Sequence, residues 1–149
     1  MKIPYFLFVF LFPLTPANAQ ADPEEKNILH LVDQFFVALE KQDTLAFRDM
    51  FMKDARNYSV RELGDSVRIR SQLPSGFRFT PGQIVKERMR KESTLAKIAG
   101  RIAMVWAPYD LWVNETFSHC GVDVFTFIKT STGWKIASVS YTMETTGCH

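Results

Sequence analysis

Ile102-Ala103-Met104-Val105-Trp106-Ala107-Pro108-Tyr109, Phe117-Ser118-His119-Cys120-Gly121-Val122-Asp123-Val124-Phe125 and Gly133-Trp134-Lys135-Ile136-Ala137 follow one another in the last third of the chain. They belong to three apolar runs, Ile102 to Tyr109, Phe117 to Lys129 and Trp134 to Met143, parted by Asn114-Glu115 and Ser131-Thr132-Gly133. Runs rich in β-branched and aromatic residues and broken by turn residues predict an antiparallel meander. Gly133 at the third loop position suits a three-residue hairpin with a bulge. Thr130 then faces Trp134, and the ladder sets Asp123 opposite Tyr141, Phe125 opposite Val139 and Phe127 opposite Ala137, all on one face. The other face carries Val122, Val124, Thr126 and Ile128 against Thr142, Ser140, Ser138 and Ile136. A one-residue change in the turn would move every pair. Pro108 cannot donate to a ladder, so the first strand is expected to bulge or to lie at an edge there.

Upstream the pattern is helical. Asp22 is placed to cap, Pro23 suits the first helical position, and Glu25 sits where a capping box wants a carboxylate. Ile28, Leu29, Leu31, Val32, Phe35, Phe36 and Leu39 then recur at helical spacing, and the helix should end near Glu40-Lys41. Asp43 or Thr44 caps a second, short helix carrying Leu45, Phe47, Met50 and Phe51. Tyr58 to Arg61 and Val67 to Ser71 read as two short strands joined at Leu63-Gly64-Asp65, and Pro74 to Pro81 as loop. Thr80-Pro81 opens a third helix, Gln83 to about Lys91, with Ile84, Val85 and Met89 on one side. Helices first and a meander last predict an α+β domain, about three helices packed on a curved antiparallel sheet whose curl leaves a pocket.

The three runs quoted first, with Tyr141-Thr142 and Thr146-Gly147-Cys148, resemble the lumazine-binding-like and SnoaL-like branch of the nuclear-transport-factor-2-like superfamily. The likeness is specific over residues 101–148 and rests on helix order and layout over 24–100. It implies a cone of helices wrapped by a bent sheet, often a homodimer packed through that sheet. The superfamily holds ketosteroid isomerases, scytalone dehydratase and polyketide cyclases beside non-catalytic binders. No catalytic set of those enzymes carries over to this chain residue by residue, and fold alone does not assign function.

Residues 1–21 read as a signal peptide. Lys2 starts a short basic region, Ile3 to Leu14 are apolar, and Ala17-Asn18-Ala19 offers a small-x-small cleavage site after Ala19. The apolar run falls short of the ~20 residues that span a bilayer. The expected product is a domain over 22–149, periplasmic or secreted, with no membrane anchor once the leader is removed. Without the leader the chain holds 17 Lys+Arg and 16 Asp+Glu, a near balance that argues against a general polyanion binder. Basic groups concentrate in residues 61–101, with 10 basic against 4 acidic, as a solvated face or an anion-attracting patch. That stretch holds no nucleic-acid module, and no phosphate loop, dinucleotide fingerprint or nucleophile elbow occurs. No nucleic-acid partner and no cofactor is expected.

Candidate chemistry gathers on the meander. Asp123 and Tyr141 facing each other on an aromatic surface, with Trp106 and Tyr109 on the neighbouring strand, can either satisfy one another structurally, bind a ligand, or transfer protons. His119 is a further candidate base if it reaches the pocket mouth. Cys120 and Cys148 are the only cysteines in a chain expected outside the cytoplasm, where disulfides form. The register objects, since Cys120 should oppose Glu144 and Cys148 lies four residues on, ~13 Å along a strand. Thr145-Thr146-Gly147 would have to fold back, or Gly121 mark a bulge. A zinc site from His119-Cys120 and Cys148-His149 is not expected, because strand neighbours point to opposite faces.

Three functions remain open. The first is an exported domain binding a small apolar or aromatic molecule, for which Phe35, Phe36, Trp106, Tyr109, Phe125, Phe127 and Tyr141 supply the aromatics. The second is a cofactor-free isomerase, dehydratase or cyclase using Asp123 with Tyr141 or His119. In the third, a homodimer associates through the face bearing Thr126, Ser138 and Ser140, and the pocket is filled.

Overall fold

A computed structural model describes residues 22–148. The expected leader over 1–21 and the last residue, His149, lie outside the described residues. The chain runs α1 (Pro23–Glu40), α2 (Thr44–Asp49), β1 (Phe51–Leu63), β2 (Ser66–Gln72), β3 (Val85–Met89), β4 (Leu95–Ala99), β5 (Ile102–Val113), β6 (Thr116–Thr130) and β7 (Gly133–Thr142). Asp22 caps α1 by accepting from the Glu24 N–H at 2.9 Å, and Asp43 caps α2 by accepting from Ala46 N–H at 2.9 Å. The carboxylate that matters next is Glu24 rather than Glu25. It accepts from Lys129 Nζ at 2.7 Å and Trp134 Nε1 at 2.8 Å, pinning the start of α1 to the β6–β7 hairpin.

The seven strands form one curved sheet, ordered β2-β1-β7-β6-β5-β3, with β4 also on β5. The α+β cone is as expected, but the sheet is mixed. β1 enters beside the last strand and runs parallel to β7, while the remaining pairs are antiparallel. Ile28, Val32, Phe35, Phe36 and Leu39 of α1 press into the concave side against Ala103, Val105, Phe125, Phe127 and Ile136, and this layer is the core.

Among the described residues two α-helices cover the sheet, not three. Gln83 to Lys91 is no helix: Gly82, at φ 74°, closes a turn, and Val85–Met89 then pairs with Tyr109–Val113 of β5. The three-to-four spacing of Ile84, Val85 and Met89 belongs to an edge strand that alternates Val85, Glu87, Met89 inward, and Ile84 is exposed.

The β6–β7 hairpin also departs from expectation and then returns to it. Its turn has two central residues, Ser131-Thr132, so Thr130 pairs with Gly133 and Phe127 with Ile136, not Ala137. Ala137 is then an extra residue in β7, and from Thr126↔Ser138 onward the expected register is restored, through Phe125↔Val139 to Asp123↔Tyr141. Ile128 faces Lys135 in consequence, where Ile136 was expected. Pro108 sits inside a central strand. Its N and carbonyl O face the gap where β3 gives way to β4, so the missing donor breaks no ladder, and its carbonyl accepts from Arg90 N–H at 2.7 Å.

Cys120 is bonded to Cys148, with Cα atoms 5.7 Å apart. Cys120 does oppose Glu144, exchanging two backbone bonds of 3.0 and 2.8 Å. Thr145-Thr146-Gly147 folds back, with Gly147 at φ 74°, and returns Cys148 to β6. Gly121 makes a close approach possible instead of a bulge. A Cβ there would lie 2.2 Å from the Thr142 carbonyl oxygen and 2.9 Å from the Tyr109 ring.

Candidate functional site

A cavity of about 210 Å³ lies between the helices and the concave face of the sheet. Its walls are apolar where α1, α2 and the loop after β2 supply them: Phe35, Leu39, Phe47 and Phe77. Phe47 stacks on Phe77 with ring centroids 4.8 Å apart, which closes that side. The sheet supplies the polar lining. Asn57 comes from β1, Glu87 from β3, Tyr109 from β5, His119 and Asp123 from β6, and Tyr141 from β7.

Strand parity decides who is inside. On β6 the inward set is His119, Gly121, Asp123, Phe125 and Phe127, so Cys120 points to the outer face while His119 points in. Ser118 is the extra residue at the Leu111/Trp112 shift, and beyond it the alternation from His119 to Asp123 runs without interruption. On β5 the inward residues are Ala103, Val105, Ala107 and Tyr109. Trp106 has the opposite parity: it is 44% exposed on the outer face, so it forms no wall of the cavity. Phe36, Phe125 and Phe127 are core beneath the cavity rather than lining to it.

Asp123 is 3% exposed and Glu87 7%. Burial pushes the Asp123 carboxyl up to about 7, with its hydrogen bond to Glu87 pulling the other way. Burial, then the Asp123 charge, then the same hydrogen bond raise Glu87 well above the carboxylate range. Two acids this close and this dry cannot both ionise. With both charged, Oδ2 of Asp123 would be a buried acceptor with no donor among the described residues. A protonated Glu87 donating to an ionisable Asp123 resolves that. The pair is then one acid and one carboxylate of near-neutral pKa.

The phenols have different duties. Tyr109 O–H donates to the Thr142 carbonyl at 2.6 Å and is fully committed, its ionisation suppressed by burial and by the charges of Glu87 and Asp123. Tyr141, paired with Asp123 across the ladder, is raised first by burial, and a hydrogen bond with Ser59 works against that. It is the phenol able to meet a ligand. His119 is depressed by burial and by Arg61, so its imidazole is neutral at neutral pH. Nδ1 lies 3.0 Å from Ser118 Oγ. Asn57 Oδ1 is a further buried acceptor without a partner among the described residues.

Glu87 and Asn57 were not anticipated. The signal for Glu87 was an acid between Val85 and Met89 at alternating positions, legible only once the segment is read as a strand. No group of three or more His, Cys, Asp or Glu side chains able to hold a metal occurs among the described residues.

A family model described as "Putative lumazine-binding" matches residues 23–142. No curated protein matches the chain. Among solved structures, the fold is similar to a "putative dehydratase from the NTF2-like family" of Streptomyces avermitilis, with TM-score 0.61, 12% identity, and 83% of this chain and 98% of that one covered. It is similar to the beta subunit of a "putative aromatic-ring-hydroxylating dioxygenase" of Novosphingobium aromaticivorans, with TM-score 0.64, 9% identity, and 85% and 92% covered. A protein of unknown function with a cystatin-like fold from Nostoc punctiforme has TM-score 0.61, 15% identity, and 84% and 95% covered. At such identities the likeness is one of fold.

Proposed function

The chain belongs to the family described as putative lumazine-binding, within the NTF2-like superfamily, and on that premise we propose that its cone binds a small apolar or aromatic molecule. The observation that carries this reading is the open cavity itself: aromatic walls on one side, and on the other a few convergent polar groups, Asp123, Tyr141, His119 and Asn57. Native mass spectrometry of protein purified from its host tests it. Wild type should carry a releasable small molecule, and Val85→Trp, which fills the cavity from an edge strand, should not. A wild-type protein that retains nothing and binds no member of an aromatic panel would remove the reading.

A second reading, proton transfer on that bound molecule, is favoured by one observation, the Asp123–Glu87 pair. Asp123 titrating near 7 is matched to proton abstraction at neutral pH, Glu87 holds the shared proton, and Tyr141 can donate to an oxyanion forming on the substrate. An acidic C–H of the bound molecule should exchange with solvent deuterium in wild type and not in Asp123→Asn. Equal exchange in both would leave binding alone.

Export and self-association complete the proposal. Support for a leader cleaved after Ala19, and for a periplasmic or secreted product, comes from the 1–21 pattern and from a disulfide suited to an oxidising compartment. Edman sequencing of the host product should begin at Gln20. No described helix is long and apolar enough to cross a membrane. A homodimer is supported by the outer sheet face, where Leu95, Ile102 and Trp106 are exposed beside the row of Thr126, Ser138 and Ser140. Sedimentation should give a dimer, and a persistent monomer would remove that element.

A further inference from the structure

The β1–β2 hairpin extends the concave face beyond the cavity, and its inner surface is an array of arginines. Arg70 pairs with Ser59, Ser59 with Tyr141, and Tyr141 with Asp123, so the four residues form one row across four strands on the same face. One step along, Arg61 pairs directly with Arg68. Asn57 and Gln72, paired at the foot of the hairpin, already line the cavity, which makes the arginine surface continuous with its mouth.

Like charges placed directly opposite on an exposed ladder cost stability. Five basic side chains have carboxylate partners among the described residues: Arg88 on Glu40, Arg90 on Asp110, Lys91 on Asp33, Lys129 on Glu24 and Lys135 on Asp49. Arg61, Arg68 and Arg70 have no carboxylate within ion-pair distance among the described residues. Glu62, next in sequence, pairs with Val67 on the other face. The arginines also reach the site electrically, Arg61 lowering the His119 pKa and Arg70 opposing the rise of Tyr141.

We propose that Arg61, Arg68 and Arg70 bind the anionic group of the cavity's ligand, which is therefore an acid: an apolar or aromatic body inside the cone and a carboxylate, sulfonate or phosphate at its mouth. Guanidinium forks match such oxyanions bidentately. Arg70 and Asp123 stand three strand spacings apart, ~14 Å between backbones. The Arg70 side chain covers part of that, leaving room for a body of about two fused rings. The acid sits at the end away from Asp123 and Glu87, so their shared charge does not oppose it. This inference rests on the cavity being a binding site.

Calorimetry with naphthalene-2-carboxylate and its neutral isostere naphthalene-2-carboxamide tests it on the oxidised protein. The carboxylate should bind at least about tenfold more tightly at low salt, with the advantage shrinking as salt screens the arginines. Replacing all three arginines by Gln should erase the advantage and leave carboxamide affinity unchanged. Arg68→Glu, which turns the repulsive pair into an attractive one, should raise the Tm while weakening carboxylate binding, so lost binding cannot be ascribed to lost folding. Carboxamide binding as tightly as carboxylate, or an advantage surviving in the triple variant, would overturn the inference and leave the cavity reading standing. Carboxylate binding undiminished in Val85→Trp would also overturn it, since the body would then lie outside the cone. Binding of neither compound would overturn the inference, while the cavity reading would still answer to the wider aromatic panel.

Discussion

Glu87 and Asp123 reach each other inside the cone from strands that do not touch, β3 and β6, with β5 between them. Curvature makes this possible: on the concave side of a bent sheet, side chains from separated strands converge. The result is a shared proton in a dry apolar site. Two carboxyl groups so placed are costly to keep, which is why the pair, rather than the aromatic walls, is the strongest sign that the cavity has a use.

The pair makes stability fall with rising pH. Below about pH 4 Asp123 is protonated in both folded and unfolded chains. Between its ordinary value of 3.8 and its folded value of about 7, the unfolded chain releases a proton that the folded one retains, so stability declines through that window and levels off above it. Glu87, also raised, acts in the same direction. Asp123 alone should account for a loss on the order of 3 kcal/mol between pH 5 and pH 8. Urea unfolding at both pH values should show at least this loss in wild type and a smaller one in Asp123→Asn, where buried Glu87 still contributes. Wild-type stability that rises over this range would contradict the assignment.

Gly121→Ala should cost at least about 2 kcal/mol, because the new methyl meets backbone rather than a movable side chain. Relief would require β6 to part from Thr142 and break the Tyr109–Thr142 hydrogen bond of 2.6 Å. Denaturant unfolding of the variant measures this, and a change under half that size would mean the approach is looser than described.

Reducing the Cys120–Cys148 bond, which closes a separation of 28 residues, should lower stability by about 3 kcal/mol in the chain-entropy account. The two Cys120–Glu144 backbone bonds remain, so the tail should loosen only beyond Glu144. Hydrogen exchange in the reduced protein should therefore rise at residues 145–148 and stay low at Cys120. Faster exchange throughout β6 would show that the bond holds the sheet and not merely the tail.

The meander was legible because period-two alternation and paired turns state both strand and face, and Asp123 opposite Tyr141 follows from them. That pairing survived a misread turn only because Ala137 bulges. The shorter loop shifted the register by one, and the extra residue shifted it back. Val85–Met89 was not legible as β3, since five residues on an edge satisfy helical and strand spacing equally and their pairing partners, Tyr109 to Val113, are distant in the chain. Glu87 was lost with it. Residue type alone points to Trp106 as a wall, but parity governs, and parity puts it outside. The Cys120–Cys148 pairing depended on a turn at Gly147 that a ladder count cannot foresee.

The most direct test of a ligand-binding cone is a high-resolution crystal structure of the unreduced protein taken straight from its host. Density for a small flat molecule should fill the cavity, within hydrogen-bonding distance of Asp123 or Tyr141. A cavity closed by Phe35, Phe47, Phe77 and Tyr141 turned inward, with no space left for any molecule, would contradict it.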